Sequence, residues 1–203
     1  MRFIIFVTFF LSCCTFVMGQ VTKYTDTAYH IAVNKHPFIP PTVKSEASEV
    51  VIIQNSFPKG GSRYTDPAGK EFVYAFFWTR VSNETASPLE LTIHFPADSL
   101  VMRAQADTYF KLFLPSHTMT FDKEPLFDYG FTGVKSFFDS SFNKPTRLQR
   151  TIDPKGECLF YVATLYNQGV DGVVRAALVL KGHDLFYSIT DEEIPCGQIV
   201  FKN

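Results

Sequence analysis

Apolar and polar residues alternate along much of this chain with a period of two. Leu89, Leu91, Ile93 and Phe95 share one parity, while Glu90, Thr92 and His94 share the other. That pattern predicts an antiparallel strand with one dry and one wet face. Residues 72–81 (Phe-Val-Tyr-Ala-Phe-Phe-Trp-Thr-Arg-Val) are apolar at both parities. They predict a central strand covered on both sides, with Trp78 in the core. Further strands are expected at 28–33, 49–54, 108–114, 147–152, 157–166, 173–181, 185–189 and 198–201, lengths that suit a sandwich.

The connections carry their own signals. The polar run 82–88 predicts a hairpin between strands 72–81 and 89–95. The run 167–172, with two glycines, predicts another between 157–166 and 173–181. Asp66-Pro67-Ala68-Gly69 and Asp153-Pro154-Lys155-Gly156 both match the residue preferences of a type I turn. One stretch breaks the β period: Val134, Phe137, Phe138 and Phe142 fall at helical spacing. They predict a short helix over 133–142, capped at or near Thr132 and plugging one end of the fold. Residues 34–48, rich in proline, are expected to cross the surface in extended form. The sum is an all-β chain, a two-sheet antiparallel sandwich of immunoglobulin-like architecture, with a closed β-barrel as the alternative.

The first 19 residues read as a secretory leader. Arg2 is followed by an apolar run that ends at Val17-Met18-Gly19, where small residues suit cleavage after Gly19. Leu11-Ser12-Cys13 offers a second reading, in which Cys13 is a lipid anchor. Residues 20–203 then form one domain, expected to be secreted or periplasmic. No later apolar run is long enough to span a membrane.

Composition narrows the partners. Nineteen Lys and Arg against 20 Asp and Glu give a net charge of −1, and loss of Arg2 with the leader moves it to −2. A chain so nearly neutral argues against nucleic acid as a main partner, which needs a concentrated basic face, and leaves room for a local basic patch. Of the 22 phenylalanines, five lie in the leader, so the core of the domain is expected to be built largely from the rest. Two cysteines remain after the leader, Cys158 and Cys196, and in an oxidising compartment they predict one disulfide. A bridge over 38 positions would contribute about 3–4 kcal/mol.

Candidate chemistry is sparse, and no cofactor signature is present. Tyr64 and Glu71 stand where a P-loop needs Gly and Ser/Thr, and no G-x-S-x-G, H-E-x-x-H or EF-hand pattern occurs. Neither Cys158 nor Cys196 has the His and Met neighbours of a copper site. His117 and the pair His183-Asp184 fall at strand ends, where functional side chains are often displayed, and with Asp122 and Glu124 they are the acid–base candidates. Tyr109 and Phe113, with Lys111 between them, lie opposite Phe110, Leu112 and Leu114, and form a candidate exposed binding patch. Asn83-Glu84-Thr85 is a glycosylation sequon in an expected loop. A complete β framework without a catalytic signature points to a non-catalytic module that contacts protein or glycan at the cell surface. The alternative is a secreted hydrolase using carboxylate and histidine acid–base chemistry.

Overall fold

The computed structural model describes residues 24–30, 50–103, 107–170, 172–190 and 192–202. The expected leader, its cleavage site after Gly19, the Cys13 anchor and the proline-rich run 34–48 lie outside the described residues. The described residues form twelve strands: β1 (Tyr24–His30), β2 (Val50–Ser56), β3 (Lys59–Thr65), β4 (Glu71–Asn83), β5 (Leu89–Phe95), β6 (Leu100–Val101), β7 (Tyr109–Phe113), β8 (Thr146–Ile152), β9 (Glu157–Tyr166), β10 (Ala176–Lys181), β11 (Asp184–Ile189) and β12 (Glu192–Phe201). Two 3-10 turns (Phe121–Lys123, Phe127–Gly130) and helix α1 (Val134–Ser141) fall between β7 and β8. Among the described residues no helix is long and apolar enough to cross a membrane.

The strands form the expected two antiparallel sheets. Sheet A runs β1-β2-β4-β9-β7-β6, with β3 also on β4, and curls into a half-barrel. Sheet B runs β10-β11-β12-β5-β8. Between the sheets lies the first core, with Leu89, Leu91, Ile93 and Phe95 of β5 facing Phe77, Val81, Phe110 and Val162 of sheet A. Gly197 of β12 lies so close to β5 that a Cβ there would overlap the Thr92 carbonyl.

Strand β4 is covered on both faces, as its sequence predicts. Ala75, Phe77 and Val81 belong to the inner core, while Phe72, Tyr74, Phe76 and Trp78 face away from sheet B into a second, aromatic core. That core is roofed by α1 and the two 3-10 turns. The helix therefore lies on the outer face of sheet A and does not plug an end. Nor is it capped by Thr132. Gly133 takes the cap position in left-handed conformation (φ +69°), and no side chain caps the helix.

Three connections differ from expectation. The run after β4 crosses from sheet A to sheet B, so β4 and β5 do not pair. Instead β4 pairs with β9 and β5 with β8 and β12. The run after β9 crosses in the same way, and β10 pairs with β11. In both cases a loop of hairpin length bridges two layers. In the turn at 153–156, Lys155 has φ +62°, the sign of a type II turn at that position, not type I.

The turn Phe127–Gly130 stores strain. Asp128 and Tyr129 both have positive φ (+48° and +55°), a region that non-glycine residues seldom occupy. Three contacts hold them there. Tyr74 donates its hydroxyl to Asp128 Oδ2 at 3.0 Å, Tyr161 donates to the Tyr129 carbonyl at 2.7 Å, and Tyr129 donates to the Phe57 carbonyl at 2.5 Å. Burial raises the Asp128 carboxyl above its ordinary range, against the Tyr74 hydrogen bond and the Lys59 charge, which lower it. Its folded pKa thus exceeds its unfolded value. The stability it contributes is present below the unfolded value and is lost as pH rises through the folded one. Asp128→Asn, which tolerates the same backbone and keeps an acceptor for Tyr74, should raise Tm at neutral pH. That advantage should shrink as pH falls, measured by thermal melts between pH 3 and 7.

A basic seam between strand edges β8 and β9 as the candidate site

The two long margins of the sandwich are built differently. On one, Asn55 of β2 stitches sheet A to the edge strand β10. Its Oδ1 accepts from the Leu178 amide at 2.8 Å, and its Nδ2 donates to the Leu178 carbonyl at 3.3 Å. At this one position the Asn55 amide meets both backbone groups of Leu178, as a neighbouring strand would.

The other margin is a seam. Strand β8 ends sheet B and pairs only with β5 among the described strands. On the facing side, β9 pairs with β4 along its whole length, but β7 covers only Ala163–Tyr166 of its other edge. The Glu157–Val162 half of that edge has one isolated bridge, Thr118 to Phe160. Two hydrogen bonds fasten the ends of β8. Leu114 donates its amide to Thr146 Oγ1 at 3.0 Å, and Asn83 Nδ2 donates to the Ile152 carbonyl at 3.0 Å.

A groove runs between these edges in two arms, of about 200 Å³ and about 420 Å³, which share Thr118, Arg150, Cys158 and Leu159. His117, Arg147 and Arg150 line the narrow arm, and no acidic residue does. The wide arm includes Glu157, whose carboxylate pairs with Arg80 at 3.2 Å. Arg150 occupies an inward register position, opposite the fully buried Leu91 and in step with Leu148 and Ile152. An arginine there can turn only toward the seam. Arg147 and Arg150 each donate to one neutral oxygen of Gln149, Oε1 and the carbonyl, both at 2.9 Å. Arg147 also lies in the field of Glu90, whose carboxylate already meets Lys202 at 3.3 Å. The guanidinium forks retain donors suited to a carboxylate, sulfate or phosphate.

Cys158 faces this groove, half-buried. Burial raises its thiol pKa while the Arg150 charge pulls it down; the balance is upward, so the group is a neutral thiol rather than a nucleophile. The expected Cys158–Cys196 disulfide is not formed, and both cysteines are free. The reason is the sheet order. Cys158 lies beside Leu148 and Arg150 of β8, whereas Cys196 is on β12, beyond β5. Two strand spacings are about 10 Å, outside the Cα reach of roughly 7 Å that a bridge allows. Cys196 instead donates its thiol to the Leu185 carbonyl at 3.4 Å, and burial pushes its pKa up to about 12.

The other candidates separate. His117 is exposed at the seam, its ring 4.4 Å from that of Phe131. His183 and Asp184 are exposed at the β10–β11 turn, with the His183 ring 6.3 Å from Phe201. Strands β12 and β5 lie between β11 and β8, a lateral separation of roughly 14 Å. Asp122 and Glu124 sit in and after the first 3-10 turn. Among the described residues no three His, Cys, Asp or Glu side chains gather as metal ligands would.

Tyr109, Lys111 and Phe113 do share one face, but that face is covered by α1 and the segment after it. Phe113 is buried in the aromatic core, Tyr109 is partly buried against it, and Lys111 is buried with Nζ donating to the carbonyls of Ala97 and Phe142, both at 2.8 Å. Asn83 of the sequon is wholly buried at the end of β4. A further recess of about 250 Å³, between Gly60-Gly61 and Val170, Gly172, Val173 and Val174, is lined among the described residues by apolar and uncharged groups.

Arg147 and Arg150 did not figure among the candidates read from the sequence. A signal was present: in Leu148-Gln149-Arg150-Thr151-Ile152, Arg150 breaks an apolar alternation. No protein-family model matches the chain, and no curated protein or solved structure is similar to it.

Proposed function

We propose that this protein is a secreted or periplasmic, non-catalytic binding module that acts by surface contact with protein or glycan, and that the contact is an anionic group held in the β8–β9 seam. The observation that carries this reading is the concentration of His117, Arg147 and Arg150 along a groove whose narrow arm has no acidic lining residue. On a chain of net charge −1, such a patch is a local feature and not a general basic surface. Electrostatic complementarity of this kind sets the choice of partner and the rate of encounter. Export is supported by the leader pattern of residues 1–19. A neutral Cys158 and a His117 set apart from His183-Asp184 favour binding over hydrolysis.

The test is calorimetric titration with sulfated or uronate oligosaccharides, acidic peptides and their neutral counterparts. Anionic ligands should bind, neutral ones should not, and affinity should fall as salt rises. The double substitution Arg147→Glu, Arg150→Glu should weaken binding at least tenfold. Both side chains are exposed, so Tm should move by no more than a few degrees. Equal binding of neutral ligands, or indifference to the charge reversal, would refute the reading.

A further inference from the structure

Resting on that reading, we infer that the seam takes an extended acidic peptide, added to β8 as a sixth strand of sheet B. The backbone favours a peptide over a glycan. Residues 147–151 of β8 lie between the two fastened ends of the strand, and the facing Glu157–Val162 edge of β9 is bridged only at Phe160 among the described residues. Unpaired strand edges are templates for another chain's amides and carbonyls, and a sugar supplies no such ladder. On β10 the Asn55 side chain already occupies both backbone groups of Leu178 at mid-strand, whereas the β8 fastenings lie at its ends.

The charges set the spacing of the partner's acids. Arg147 stands on the outer face of β8 and Arg150 on the inner, three residues apart. A strand laid antiparallel on β8 would place its own residues j and j+3 opposite them. Opposite charges directly across two strands attract, and like charges repel. The partner motif is therefore Asp or Glu, two intervening residues, then Asp or Glu, in an extended segment without proline at the paired positions.

The experiment is fluorescence anisotropy with end-blocked hexapeptides on the full protein. Val-Glu-Val-Thr-Glu-Val should bind. Moving one Glu by a single position, so that both fall on one face, should weaken it severalfold. Methylating alternate backbone amides should weaken it at least tenfold without altering charge. A peptide with Lys in place of both Glu should bind the Arg147→Glu, Arg150→Glu protein better than the parent. Insensitivity to amide methylation, or to the spacing of the acids, overturns strand addition. Binding of a sulfated oligosaccharide that the charge reversal abolishes, with no peptide bound, overturns this inference and leaves the anion-binding reading intact. Absence of any anion binding overturns both. Self-association that the same reversal abolishes would make the occupant a second copy and overturn the peptide.

Discussion

Phe138→Ala should lower the stability of the fold by about 3–5 kcal/mol, the range for removing a large buried aromatic. Phe138 is fully buried at the centre of the outer aromatic core. Its ring lies 5.1 Å from Tyr64, 5.5 Å from Phe113, 5.9 Å from Tyr74 and 6.1 Å from Phe76, so one side chain joins β3, β4 and β7 to the helix. The eight-residue α1 is too short to persist in water on its own, and packing alone holds it. Truncating Phe138 leaves a cavity and loosens the roof over Phe72, Tyr74 and Phe76. Urea denaturation should show the loss, and near-UV circular dichroism should weaken with it. A change below 1 kcal/mol would mean that α1 does not roof sheet A.

The second large effect is expected at Asn83. Its amide nitrogen donates to the carbonyls of Ser87 (2.9 Å), Ile152 (3.0 Å) and Asp153 (3.2 Å), and its oxygen accepts from the amide and hydroxyl of Thr85 (3.0 and 2.7 Å). One side chain therefore fixes the crossing from β4 to β5 and clamps it to the end of β8. Asn83→Ala removes the partner of the buried Thr85 amide and of the Ile152 carbonyl, while the Ser87 and Asp153 carbonyls keep the Thr85 hydroxyl and the Gly156 amide, and should cost about 3 kcal/mol, since each unsatisfied group costs about 1–3 kcal/mol. The same bonds bear on the sequon. The nitrogen a glycan needs is fully buried and engaged, so protein made in glycosylating cells should show no glycosidase-sensitive change in mass. A glycan on Asn83, or an Asn83→Ala variant as stable as the parent, would contradict this assignment.

Much of the fold was legible because burial imposes parity. β5 shows its two faces in alternate letters, and β4 betrays double coverage by being apolar at both parities. Helical spacing marked α1 for the same reason. What parity does not carry is which layer a strand joins. The loop after β4 has the length and polarity of a hairpin, and the Asn83 hydrogen bonds, invisible in a pattern of apolar letters, send it across instead. Strand β3 (Lys-Gly-Gly-Ser-Arg-Tyr-Thr) has no apolar alternation, and pairing with β4 makes it a strand. Parity places Tyr109, Lys111 and Phe113 on one face, yet the cover of that face, α1, arrives more than twenty residues later in the chain. Arg150 was the reverse case: a visible break in alternation at an edge, with a meaning that depends on knowing β8 is an edge.

The central claim is that this sandwich works through its open, basic margin. Amide chemical-shift mapping during titration with an acidic peptide or sulfated oligosaccharide tests it most directly. The shifts expected are at Ser116–Thr118, Arg147–Thr151 and Cys158–Phe160, weakening as salt is added. Shifts confined to the β10–β11 turn around His183 and Asp184, or to the recess at Gly60-Gly61, would contradict it.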